Sequence, residues 1–262
     1  MNPVNRSTRG HQPSRRSLLA VGIHKAGSVA LERVLGRLAP AAGLRYRPLS
    51  RGIMRSRLTL EERLARDSSR IEPFGDCYGV VRSPHFVALA GRLDELDLIA
   101  QIRDPRDCLT SNYFSIAFSH SVPRARAKRR SFLERRALAQ RTPIDDWVLG
   151  EADRFRRRFE AVASLAAGRH DMPVLRYEDM VVDSEMWLLR LCGALGVELS
   201  TAERAAILDD AGFGPVREDV SRHKRQVEPG DHRRKLRAET IAQLNITLAA
   251  VMDHFGYDRD HR

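Results

Sequence analysis

The chain has 262 residues, 42% of them hydrophobic, enough to enclose one sizeable core and no reason to require a second domain. Lysine plus arginine number 45 against 34 aspartate plus glutamate; the net charge of +11 implies an anionic partner without choosing among nucleic acid, membrane surface and small anions. The three cysteines, Cys77, Cys108 and Cys192, lie far apart, which excludes a disulfide framework and a closely spaced metal site and fits a reducing, cytoplasmic setting; no apolar run nears the ~20 residues that span a bilayer.

Residues 1–16 are rich in Arg, Ser, Asn and Pro and read as a disordered tail, leaving 17–262 as one domain. Ser14-Arg15-Arg16-Ser17-Leu18-Leu19 resembles a twin-arginine export signal. Such a signal needs an uninterrupted apolar stretch of about 7–15 residues, and His24 and Lys25 cut this one short. The apolar run 18–23 suits a strand buried on both faces of a parallel sheet. A small-residue loop follows, His24-Lys25-Ala26-Gly27-Ser28, and then Leu31, Val34, Leu35 and Leu38 recur at helical spacing. Strand, tight loop and helix together aim backbone N–H groups and the positive end of a helix dipole at one spot, an arrangement that binds phosphate or sulfate. Against the nucleotide-binding pattern G-x-x-x-x-G-K-[ST], Gly22 and Gly27 have the right separation, but Ser28 stands in the lysine position and the lysine has moved back to Lys25. An anion cradle without the usual magnesium-nucleotide geometry is one reading; an ordinary turn with a surface lysine is the other.

Further along, 44–49 reads as a short strand and 53–70 as a basic helical region, with Pro73 and Gly75 marking a turn. Residues 77–81 form a second buried strand ending at Arg82-Ser83-Pro84-His85; 86–93 is weakly helical, and 96–102 is a third strand. It breaks at Arg103-Asp104-Pro105-Arg106-Asp107, where a capping aspartate followed by proline starts a helix over 108–118. Arg103 therefore sits at a strand's carboxyl end, where open α/β sheets bind ligands, and Ser111 lies eight residues later on the departing helix. A joint anion site fits this spacing, since arginine grips phosphate bidentately; a surface ion pair between Arg103 and Asp104 fits it too.

The stretch 119–141 carries Arg124, Arg126, Lys128, Arg129, Arg130, Arg135, Arg136 and Arg141, as a lid or wall for an anionic acceptor or as a solvated helix. A long helix spans 144–167; a fourth strand, 172–176, ends in Tyr177-Glu178-Asp179; helices follow at 187–195 and 201–210. A basic segment turns at Pro229-Gly230, and 236–255 is a final amphipathic helix. The fold class is α/β, one P-loop-like domain whose central parallel sheet, with strands near 18–23, 77–82, 97–103 and 172–177, has helices on both faces.

Four stretches, in order, carry a resemblance to the bacterial-type sulfotransferases that use 3′-phosphoadenosine-5′-phosphosulfate (PAPS). HKAGSVAL is similar to the family's 5′-phosphosulfate loop, IRDPRDCLTSNY to its 3′-phosphate motif, LRYEDM to its Y-E-D strand end, and RQVEPGDH to its late R-K-G-x-x-G-D-W loop. The resemblance implies that Lys25, Ala26, Gly27, Ser28 and Val29 hold the 5′-phosphosulfate, that Arg103, Ser111 and Arg225 hold the 3′-phosphate, that Tyr177 lies near the adenine and that Gly230 makes the late turn. Val29 replaces a hydroxyl residue, and Gln226, Val227 and His232 replace lysine, glycine and tryptophan.

It further implies a metal-free sulfuryl transfer from PAPS, with adenosine 3′,5′-bisphosphate (PAP) as product. Lys25 would stabilise the leaving phosphate, and His85, one proline removed from the family's K-[ST]-H pattern, would be the general base; some members use a glutamate. A histidine near its ordinary pKa of ~6.5 suits that task. The acceptor is a small molecule or a saccharide; nucleic acid is not expected. A P-loop small-molecule kinase, with Glu178-Asp179 supplying a magnesium ligand, and a non-enzymatic binder of polyanions remain as alternatives.

Overall fold

The computed structural model describes residues 15–49, 56, 58–212 and 228–259. In chain order the elements are β1 (Leu18–Gly22), α1 (Ser28–Ala41), β2 (Arg45–Arg47), α2 (Leu60–Asp67), β3 (Asp76–Arg82), β4 (Asp97–Ile102), α3 (Pro105–Phe114), α4 (Arg126–Arg141), α5 (Ile144–Ala167), β5 (Val174–Arg176), α6 (Tyr177–Val182), α7 (Ser184–Leu195), α8 (Thr201–Ala211), α9 (Asp231–Lys235), α10 (Ala238–Thr247) and α11 (Ala249–Phe255). A 3₁₀ run, His85–Glu95, joins β3 to β4.

All strand pairings are parallel, in the order β2-β3-β1-β4-β5. Because successive side chains of a strand point to opposite faces, β1 feeds two cores. Leu18 and Ala20 pack with Leu31, Leu35 and Leu191 of α1 and α7; Leu19 and Val21 pack with Phe155, Phe159 and Met252 of α5 and α11. That is why β1 reads as a continuous apolar run rather than an alternating one. The chain leaves β1 for β2 and β3 on one side and returns to β4 on the other. The carboxyl end of β1 is therefore the switch point of the sheet, where a crevice opens.

The expected strands and their parallel sheet are observed, with local differences. The fourth strand is shorter than 172–177. Pro173 has no N–H to give the ladder, the Met172 N–H turns back to Arg169, and Tyr177 already opens α6. Helix α2 begins at the Thr59–Glu62 capping box rather than at 53; residues 51–55 lie outside the described residues. The 108–118 helix runs as α3 and then widens into a π-helical turn, Ser115–Ser119. The last helix starts at Ala238 because Asp145 captures the Arg237 N–H at 3.0 Å with Arg237 extended, and it divides at Leu248. Arg15 and Arg16 are tied to the body: the Arg15 carbonyl accepts from Gly75 N–H at 3.0 Å, and Arg16 donates to the Asp94 carbonyl at 2.6 Å. No described helix is long and apolar enough to cross a membrane.

Candidate active site

The site is built where β1 ends between its two neighbours. Gly22 is in register with Arg82 of β3 on one side and with Gln101 of β4 on the other, and both side chains reach the loop that follows. Gln101, fully buried, donates to the Ala26 carbonyl at 2.5 Å. Arg82 donates through Nε and Nη2 to the Ser28 hydroxyl at 3.0 and 2.7 Å. The loop itself is bent hard. Lys25 has φ 74°, and Gly27, at the N-cap of α1, has φ 75°. A left-handed lysine costs energy that the surroundings must offset. Gly27 is required twice over: for its φ, and because a Cβ there would stand 2.8 Å from both Met180 Cε and Tyr177 Cδ2. No side chain caps α1, so the positive end of its dipole is left to a ligand.

At the end of β4 the network is dense. Arg103, 3% exposed, lies with its guanidinium 4.3 Å from the centre of the Tyr177 ring. It donates to the Lys25 carbonyl at 3.3 Å and to Asp107 Oδ2 at 3.4 Å. Asp107, wholly buried, also accepts from Gly230 N–H at 2.7 Å and His232 N–H at 2.9 Å, and it meets His232 Nδ1 at 2.7 Å. Burial pushes the Asp107 carboxyl up, but the His232 hydrogen bonds and the Arg103 charge outweigh it and hold the pKa well below the usual carboxylate range. The second arginine of the motif does different work. Arg106 is bidentate to Asp104 at 3.0 and 2.7 Å and donates to Asn245 Oδ1 and the Asp258 carbonyl, fastening the C-terminal helices to α3.

At the end of β3, His24 and His85 sit among cations. Burial first, then the charges of Arg158, Arg82 and Lys25, hold the His24 pKa well below its ordinary value. Burial also lowers that of His85, with the exposed Glu61 opposing it from 4.0 Å.

Of the residues singled out by sequence, Lys25, Ala26, Gly27, Arg103, Tyr177 and Gly230 join one connected assembly, and Ser28 links it to Arg82. Val29 lies exposed on the first turn of α1. Ser111 is half-buried on α3, two turns beyond Arg103. Tyr177 packs on the Arg103 guanidinium and the Gly27 backbone. His85 stands apart, on the β3 side. Arg225, with Gln226 and Val227, lies outside the described residues. Sequence reasoning missed Gln101, Asp107, Arg82 and His24; the signal for Asp107 was the doubled Arg-Asp of 103–107, whose two arginines cannot be told apart by spacing. The basic stretch 119–141 is partly structural, with Arg136 donating to the Ile116 carbonyl at 2.9 Å, Lys128 to the Leu58 carbonyl at 2.5 Å and Arg135 to Glu151 at 2.7 Å.

Among solved structures the chain is similar to mouse sulfotransferase SULT7A1 complexed with PAP, at 17% identity over 90% of this chain and 84% of that one, with a TM-score of 0.63. It is also similar to retinol dehydratase in complex with androsterone and inactive cofactor PAP, at 16% identity over 94% and 82%, TM-score 0.57. The same enzyme in a complex with retinol and PAP gives 17% identity over 95% and 84%, TM-score 0.53. The chain has the sulfotransferase fold. No protein-family model and no curated protein matches its sequence. Within the sulfotransferase fold of this chain, Arg103 joins the bent loop after β1 to Asp107, and Asp107 joins Arg103 to the late glycine turn.

Proposed function

We propose that the protein is a sulfotransferase that moves a sulfuryl group from PAPS to a hydroxyl or amine of a small-molecule or saccharide acceptor. The observation that carries this reading is the Asp107-centred assembly. Three of the four stretches that resemble the family, far apart in sequence, converge on Arg103 and Asp107, and the fourth is tied to them through Tyr177. The cradle fits an anion: α1 opens on an uncapped N-terminus, a Cβ at Gly27 would not fit, and Arg103 is stacked and oriented before any ligand arrives.

When bound, PAPS supplies the sulfuryl group and leaves as PAP. Lys25 and the N–H groups of Gly27 and Ser28 hold the 5′-phosphosulfate and the charge that develops on the leaving phosphate. Arg103 and Ser111, with Arg225, would hold the 3′-phosphate, and Tyr177 would pack near the adenine. His85 takes the proton of the acceptor as its oxygen or nitrogen bonds to sulfur; burial keeps the imidazole neutral and so ready to accept. His24 is the second candidate for that step, since it stands in the loop itself beside Lys25, and burial, then the charges of Arg158, Arg82 and Lys25, lower its pKa.

The acids that a magnesium-dependent kinase would need are engaged. Glu178 accepts from the Asp104 N–H at 2.8 Å and the Tyr257 hydroxyl at 3.2 Å, and Asp179 pairs with Arg190 at 2.7 Å. Calorimetry with PAP, and with ATP plus magnesium, tests the reading. Tight PAP binding without added metal is expected, and ATP binding that requires magnesium with no PAP binding would sink it. In sulfuryl transfer from labelled PAPS, His85→Ala should bind PAP normally and lose about 10²–10⁴ in kcat. Near-wild-type turnover would move the role to His24.

A further inference from the structure

Helix α5 runs past the end of β3, and the Arg158 carbonyl is pinned there by the Ser83 hydroxyl at 2.7 Å. The Arg158 side chain is 8% exposed. Among the described residues no carboxylate stands within ion-pair distance of it, and its guanidinium carbon lies over the Phe155 ring, 4.9 Å from the ring centre. The neighbouring acids are committed elsewhere or distant. Glu151 takes Arg135 at 2.7 Å and Arg154 at 3.3 Å, and Glu61 is exposed beside His85. Arg82, the other cation at this end, gives two of its N–H groups to Ser28. A buried guanidinium without a counter-charge is costly. The cost registers as a pKa pushed down to about 10, by burial first and by Arg154 second. The Ser83 hydrogen bond sets Arg158 against the turn that carries His85, and its charge acts on both His24 and His85, the two candidates for the proton-accepting step.

We propose that Arg158 recognises an oxyanion on the acceptor, so that the molecule sulfated here is a hydroxylated anion rather than a neutral alcohol. The inference rests on the sulfuryl-transfer reading and names its substrate class. Arginine is the residue suited to this: its planar fork matches a carboxylate or sulfate with two parallel hydrogen bonds, and burial strengthens them. An acceptor anchored by its charge at Arg158 brings its hydroxyl to the histidines at the end of β3. It also supplies the counter-charge that no described carboxylate gives Arg158 at ion-pair distance.

The test uses the full chain saturated with PAP. It is titrated calorimetrically with sodium sulfate and with three matched pairs: glycolate and glycolamide, 4-hydroxybenzoate and 4-hydroxybenzamide, glucuronate and glucuronamide. At least one anion should bind ten times more tightly than its neutral mate. Arg158→Gln should abolish the difference, and Arg158→Lys should retain part of it, with PAP affinity unchanged in both. If the Gln variant does not fold, the Lys variant decides, because an ammonium cannot form the paired hydrogen bonds. Charged and neutral members binding alike, or no anion binding at all, overturns the proposal. So does loss of PAP affinity in the Lys variant, which would assign Arg158 to the donor. Failure of the wild-type protein to bind PAP is a separate result that ends the donor reading itself.

Discussion

The two ends of the crevice are both basic, yet they are finished differently. At the end of β4, Arg103 has a carboxylate, a carbonyl and an aromatic face around it, and Asp107 collects four contacts, one from Arg103 and three from the 230–232 turn. At the end of β3, the charge of Arg158 bears on His24 and His85 and disfavours their protonation, and Glu151 of α5 is already spent on Arg135 and Arg154. Arg103 is paired within the fold, whereas no described carboxylate stands within ion-pair distance of Arg158. On the proposed reading the difference separates two tasks: a remote, unreacting part of the donor would be held by a rigid, paired frame, and the reacting end would supply neutral bases beside a cation.

The strongest way to break this contrast is at Asp107. Asp107→Ala removes the only carboxylate that faces Arg103 at ion-pair distance among the described residues and strands two buried N–H groups. Losing one partner of a buried ion pair costs about 3–5 kcal/mol. Urea unfolding should show a loss of that size, together with weaker PAP binding; a loss below ~1 kcal/mol would mean that the β4 end is not the frame described here.

Arg103→Ala should weaken PAP by about ten- to hundredfold, or 1.5–3 kcal/mol, with kcat little changed, because contacts to the 3′-phosphate persist from ground to transition state. Arg106→Ala is the control. Its hydrogen bonds run to Asp104, Asn245 and the Asp258 carbonyl, so it should lower the unfolding midpoint more than it changes PAP affinity. Equal effects of the two changes on PAP binding would erase the distinction between them. Gly27→Ala comes next. A left-handed φ of 75° and a Cβ at 2.8 Å from two side chains should cost about 1–3 kcal/mol, read as a lower melting temperature and weaker PAP binding.

How much of this was legible beforehand depends on the range over which each feature is decided. The strand-loop-helix of β1 and α1 and the Asp104-Pro105 start of α3 are local in origin, set by an apolar run, a glycine and a cap, and both were readable. The late Gly230 turn was aligned by resemblance, but what holds it could not be read, because Asp107 is 123 residues away. His232, a departure from the family's tryptophan, meets that same carboxylate through its ring, a role that its place in the sequence does not announce. Gln101 and Arg82 were missed because only strand register, Gly22 between its two neighbours, brings them around the loop, and His24, though in the loop, because only the fold sets Arg82 and Arg158 beside it. The shortening of β5 and the late start of α10 were decided by Pro173 and Asp145, one a local signal that was passed over and the other a tertiary contact no periodicity contains.

The smallest expected effect is also the one that separates the two ends within a single experiment. The His24 pKa is lowered in the folded protein, so between its ordinary value of 6.5 and the folded value the unfolded chain binds a proton that the native chain does not. Stability therefore falls as pH drops below about 6.5, at no more than about 1.4 kcal/mol per pH unit for one histidine, and levels off once the folded value is passed. Asp107 has the same sign in a lower window. Its carboxylate stabilises the fold above its ordinary value of 3.8, and that contribution is lost as pH falls from there toward the depressed folded value. Unfolding measured from pH 8 to pH 3 should thus lose stability in two stages, the upper one belonging to the β3 end and the lower one to the β4 end. His24→Asn, which cannot titrate, should flatten the upper stage and leave the lower one in position. If the upper stage is unchanged in His24→Asn, the histidine is not held neutral by burial among Arg158, Arg82 and Lys25, and the electrostatic asymmetry between the two ends is smaller than their geometry implies.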